Sequence, residues 1–122
     1  MKHFALALGC ILAAAALSPA SGRAEPAEEN YKLYCVQCHG TAGTGQGINQ
    51  TAGGLAVAAR DHTSAVEMSK LTDDEIRLAV AKGGDAVKKS ELMPPWDGVL
   101  TGKEIDDLVA LMRKLCKCVQ VK

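Results

Sequence analysis

Cys35, Cys38 and His39 stand in the run Cys35-Val36-Gln37-Cys38-His39. Two thiols three positions apart with an imidazole directly behind them make the C-x-x-C-H pattern of covalent haem attachment. The thiols can add to the two vinyl groups on one edge of a haem and become thioethers. The adjacent imidazole is then held beneath the iron and can ligate it through a ring nitrogen. Three other chemistries use the same residues. A disulfide oxidoreductase has C-x-x-C, but on an α/β fold, and no strand pattern is visible. Four thiolates from Cys35, Cys38, Cys116 and Cys118 suit Zn²⁺, but they leave His39 without a role. A structural Cys35–Cys38 disulfide also leaves it idle. The adjacent histidine and the glycine-rich segment behind it favour haem.

A second axial ligand comes from Met68, Met93, Met112 or His62. Met112 falls on the apolar stripe of the last helix and reads as core. Met68 belongs to a short helix and packs with Leu71. Met93 sits in Leu92-Met93-Pro94-Pro95-Trp96, where two prolines end any helix and stiffen the loop, so a thioether can be fixed over the face opposite His39. His62, in Arg60-Asp61-His62-Thr63, is the competitor. The spacing and context select Met93. Arg60 is a candidate partner for a haem propionate. Trp96 can pack on the haem edge with its indole N–H on a propionate. Lys82, Lys88 and Lys89 flank the Met93 loop and can steer an acidic partner. For each, a solvated or core-packing role is the plain alternative.

The elements that must position these residues are helical. Ala27 to about Val36 reads as a first helix, with Glu28 and Glu29 in its opening turn. Gly40 to Gly54 is a glycine-rich loop, and a short helix is expected over 63–70. Thr72-Asp73-Asp74-Glu75 and Thr101-Gly102-Lys103-Glu104 are capping boxes. The first opens a helix carrying Ile76, Ala79 and Val80 and ending at Gly83-Gly84. The second opens a helix whose apolar stripe is Ile105, Leu108, Val109, Met112 and Leu115. Residues 85–100 read as a loop. The expectation is an all-α fold with three main helices and long loops, and loops of that length usually carry function.

The chain has 122 residues, 14 Lys plus Arg and 14 Asp plus Glu, for a formal net charge of zero. That is one domain without the basic footprint of a nucleic-acid binder. One Trp, two Tyr and one Phe leave so thin a core that a staple or a bound group is expected to stabilise it. Residues 1–24 read as a cleaved signal peptide: a basic start at Met1-Lys2-His3, an apolar run from Phe4 to Leu17, and small residues before a cut after Ala20 or, by preference, Ala24. The run is shorter than the ~20 residues of a bilayer span; a lipid anchor at Cys10 and a retained membrane anchor are the weaker options. Residues 25–122 then form the exported domain, in an oxidising compartment where Cys116 and Cys118 need a chemical reason. A disulfide across Lys117, an intermolecular bridge and capped thiols are all open.

The mature chain resembles a class I cytochrome c. The resemblance spans about residues 26–118 and rests on the first helix running into Cys35-Val36-Gln37-Cys38-His39, on the Gly40-Thr41-Ala42-Gly43-Thr44-Gly45-Gln46-Gly47 loop, on Leu92-Met93-Pro94-Pro95-Trp96 and on the closing amphipathic helix. It implies a cytochrome c fold wrapped around one covalent haem c, with His39 and Met93 on the iron. It also implies a crossing of the first and last helices. There, Ala27 replaces the usual glycine, Tyr31 matches the aromatic, and Leu111 or Met112 stands where a second aromatic is usual. The implied function is one-electron transfer, Fe(III)/Fe(II), between periplasmic or membrane-bound redox enzymes of a bacterial respiratory chain. The protein would be a monomer and not an enzyme, with redox proteins as partners and no nucleic acid or small-molecule substrate. The other functions entertained are a haem-based gas sensor or weak peroxidase with a labile Met93, and a subunit or maturation factor of a denitrification-type reductase.

Overall fold

Two threonines start the two longest helices. The Thr72 hydroxyl accepts from the Glu75 N–H at 3.1 Å, and the Glu75 carboxylate accepts from the Thr72 N–H at 2.7 Å. The Thr101–Glu104 pair repeats this at 3.3 and 2.8 Å. Each box satisfies two backbone donors that a helix start leaves without partners. The computed structural model describes residues 26–119. The expected leader over 1–24, its cleavage site and the Cys10 option lie outside the described residues.

The helices are α1 (Ala27–Tyr34), α2 (Val36–His39), α3 (Ile48–Thr51), α4 (Ala65–Met68), α5 (Asp73–Lys82) and α6 (Gly102–Cys116), with a 3-10 turn at Asp85–Val87 between α5 and α6. Among the described residues there is no strand, and no helix is long and apolar enough to cross a membrane. The three main helices expected are α1, α5 and α6. The first helix breaks at Cys35 and resumes as α2, which brings the two cysteines and His39 onto one short turn. The fourth is shorter than the 63–70 span; Ser64 caps it by accepting from the Glu67 N–H at 3.3 Å. The glycine-rich loop contains the unexpected α3, four residues without a strong apolar pattern.

The core forms on α6. Ile105, Leu108, Val109, Leu111, Met112 and Cys116 are buried, with Leu108 fully so. The stripe read from sequence is this face, because apolar residues three and four apart share one side of a helix. Tyr31 of α1, Met68 of α4, and Ile76 and Val80 of α5 close over it. The crossing of α1 and α6 uses Tyr31 with Leu111 and Met112, and half-buried Ala27 packs against the same cluster. Arg113 ties α6 to the segment before α5. Its guanidinium donates to the carbonyls of Met68 at 2.8 Å and Leu71 at 2.6 Å and to the Asp73 carboxylate at 2.8 Å. The helix stops at Lys117, which is left-handed at φ 50°, and Cys116 and Cys118 are joined across it as a disulfide.

Candidate functional site

Cys35, Cys38, His39 and Met93 open onto a single cavity of ≈ 870 Å³. Pockets that bury a cofactor-sized molecule run from about 300 to 1,000 Å³. The first three come from the α1–α2 junction. Met93 comes from the loop behind α5, far away in sequence. The walls are largely aliphatic. Val57, Leu78 and Leu92 face the cavity while remaining 54%, 43% and 59% exposed. Large aliphatic side chains gain from cover, and a broad apolar group bound here would provide it. Met68 and Met112 also reach the cavity, but they are 1% and 3% exposed and belong to the core cluster. Met93 is the methionine that stands in a loop at its edge.

The position of each group has a local cause. Breaking the helix at Cys35 gives α2 its own start, and the His39 N–H returns to the Cys35 carbonyl at 2.9 Å. The glycine-rich loop then folds back on α2. The Gly47 N–H donates to the Cys38 carbonyl at 3.0 Å, and a Cβ at Gly47 would collide with the Gln37 carbonyl oxygen. The loop of Met93 is pinned to the end of α5. The Gly84 N–H donates to the Met93 carbonyl at 2.9 Å, and the Trp96 N–H reaches the Val80 carbonyl at 3.1 Å.

The His39 ring is held by one hydrogen bond. Its Nδ1–H donates to the Arg60 carbonyl at 2.9 Å. That bond fixes the tautomer and leaves the lone pair on Nε2, the arrangement that metal-binding histidines use. Burial lowers the His39 pKa; the bond to the Arg60 carbonyl works against this, and the Arg60 charge adds to it. Burial also pushes the Cys35 thiol up to about 12, with Cys38 contributing.

His62, the competitor to Met93 for the second ligand position, lies against His39. Its ring stacks on His39, with centroids 4.1 Å apart and planes 17° apart. Were a metal bound at Nε2, a ring on the face of His39 would lie beside the ligand and not opposite it. His62 is 5% exposed. Burial first, then the His39 and Arg60 charges, lower its pKa to about 3. In the sequence His62 stands as a competitor for the second ligand, and nothing local to it points to the stack.

Arg60 serves the site mainly through its carbonyl, while its guanidinium lies 3.5 Å from Glu67. Trp96 lines the cavity and also packs against Tyr34, with ring centroids 4.8 Å apart. Lys82 pairs with Asp97, whereas Lys88 and Lys89 are exposed at the cavity rim. Cys35, Cys38, Cys116 and Cys118 do not meet as a zinc set. Cys116 and Cys118 are bonded to each other, Cys35 and Cys38 are free thiols, and no three His, Cys, Asp or Glu groups converge among the described residues.

Comparison with known proteins agrees with this geometry. Residues 22–112 match the family model described as "Cytochrome C oxidase, cbb3-type, subunit III". Among solved structures, the "KustC0563 c-type cytochrome" superposes with a TM-score of 0.60 at 26% identity, covering 75% of this chain and 98% of that one. No curated protein matches the chain. A cavity with two thiols and a histidine on one wall and a methionine at its edge, inside an all-α fold, fits what that family houses: a covalently held haem c used for electron transfer. The chain belongs to the cbb3-type cytochrome c oxidase subunit III family and is a class I c-type cytochrome.

Proposed function

We propose that this protein is a monohaem electron carrier in which Cys35 and Cys38 hold the haem as thioethers and His39 and Met93 are its axial ligands. The observation that carries the reading is the convergence of these four side chains on one apolar cavity. The haem, when bound, supplies a one-electron Fe(III)/Fe(II) couple. The chain does the rest. His39 offers Nε2, because Arg60 holds the Nδ1 proton. The Met93 thioether favours the ferrous state and a higher potential than a second imidazole would. If His39 and Met93 both held the iron, small substrates would be kept off it, which suits outer-sphere electron transfer.

Lys88 and Lys89 at the rim suit an acidic docking face on a redox partner. The family description favours a terminal oxidase as the acceptor. The signal-peptide pattern over 1–24 is the support for a periplasmic carrier.

The test is purification from cells competent in cytochrome maturation. The expected product carries one haem by mass, titrates as one electron and does not bind CO in the ferrous form. A colourless product overturns the reading. Rapid CO binding replaces it with a gas sensor or weak peroxidase. Replacing both Cys35 and Cys38 with serine should abolish covalent haem.

A further inference from the structure

His62 has no part in electron transfer as described above, yet it is a polar side chain buried against the proximal histidine. Burying an imidazole costs free energy unless its polar atoms are bonded, and here one of them is. The Tyr31 hydroxyl and His62 Nδ1 share a hydrogen bond of 2.9 Å. The two rings meet edge-on, with centroids 5.8 Å apart and planes at 68°. The His62 N–H donates to the Gly43 carbonyl at 2.7 Å. Tyr31 is 5% exposed in the core between α1 and α6. The His62 ring is therefore held at its backbone and at Nδ1, and its flat face lies on His39 at 4.1 Å.

Once α2 fixes its Cα, the His39 side chain keeps two rotations, about Cα–Cβ and about Cβ–Cγ, and the second turns the plane of the ring. The bond from Nδ1 to Arg60 restrains the ring edge. A stacked ring restrains the face, because rotation drives the His39 plane into its neighbour. An aliphatic side chain would fill the same space without a flat surface to register against.

We propose that His62, anchored by Tyr31, is a positioning residue that sets the plane of the His39 ring. The inference rests on the reading of His39 as the haem ligand. Neighbours of this kind orient metal-bound histidines and tune the metal. The plane of an axial imidazole fixes the direction of its π overlap with iron, which sets the ferric g-values and the spread of the haem-methyl shifts.

The test uses the full-chain holoprotein with His62→Leu, His62→Phe and Tyr31→Phe, recording ferric EPR, haem-methyl NMR shifts and thermal midpoints on the same samples. His62→Leu should move the g-values and the methyl pattern. His62→Phe, which keeps a flat ring, should restore most of the wild-type pattern, and Tyr31→Phe should displace it partly. Lower thermal midpoints with unmoved spectra would mean that His62 only fills space, and would overturn the proposal. Should His62→Leu fail to mature, Tyr31→Phe decides: a displaced pattern supports the proposal and an unmoved one overturns it. Failure of the ligation reading looks different: the wild type then lacks haem, or His39→Ala keeps the wild-type ligand spectrum.

Discussion

Gly83 lies directly against the backbone of Met93: a Cβ placed on Gly83 would come within 2.7 Å of the Met93 carbonyl oxygen. Gly83 also has φ 84° and ψ 173°, a region open essentially to glycine alone. Gly84 follows with a similar approach to the Ser90 carbonyl oxygen. The pair ends α5 and brings the methionine loop onto its end in the same step.

Gly83→Ala should therefore cost about 1–3 kcal/mol from backbone strain, with a further loss from the displaced loop. Denaturant unfolding checks the first. The optical signature of sulfur on iron checks the second, and it should weaken in this variant while covalent haem is kept.

Met93→Ala should lower the reduction potential, on the order of 0.1 V within the ~0.8 V range that axial ligands span. It should also abolish the weak sulfur-to-iron band at the red end of the spectrum and allow the ferrous protein to bind CO. Met68→Leu and Met112→Leu alter core packing and should leave the band in place, at a stability cost below about 1.5 kcal/mol. Redox titration and absorption spectra of the three variants check the assignment together.

Asp61 gives the site a pH dependence. Its carboxylate accepts from the Thr63 N–H at 2.8 Å and the Thr63 hydroxyl at 2.6 Å. These bonds lower its pKa below the ordinary carboxylate value. A carboxyl lowered in the folded state adds stability above its unfolded pKa, and loses it as pH falls through the folded value. Wild type should thus lose stability on acidification below about pH 4 more steeply than Asp61→Asn, which cannot titrate. Thermal midpoints from pH 6 down to pH 2 check the sign. An identical acid slope in the two proteins would remove Asp61 from the explanation.

The Cys116–Cys118 disulfide should matter little to stability. It spans a sequence separation of only 2, and the chain-entropy model gives about 2 kcal/mol or less for so short a loop. Arg113 already secures the end of α6 through Met68, Leu71 and Asp73. Cys118→Ser, or mild reduction, should lower the thermal midpoint by only a few degrees and leave the potential unchanged.

Much of this protein is legible along the chain. The C-x-x-C-H run, the two capping boxes and the α6 stripe are local patterns, because helix starts and faces depend on neighbours within four residues. The Met93 loop shows itself by its prolines. The stack of His62 on His39, the bond from His39 to the Arg60 carbonyl and the seating of Met93 on Gly83 and Gly84 join residues far apart in sequence. Side-chain type gives no sign of them, since a backbone carbonyl is the same at every residue and a lone histidine can be surface or core. Sequence alone marked the residues proposed to bear the chemistry and the three main helices. Only the packing of α1, α4 and α5 on α6 decided how the loops between them meet, because long-range contacts are set by how the buried faces close and not by any local pattern.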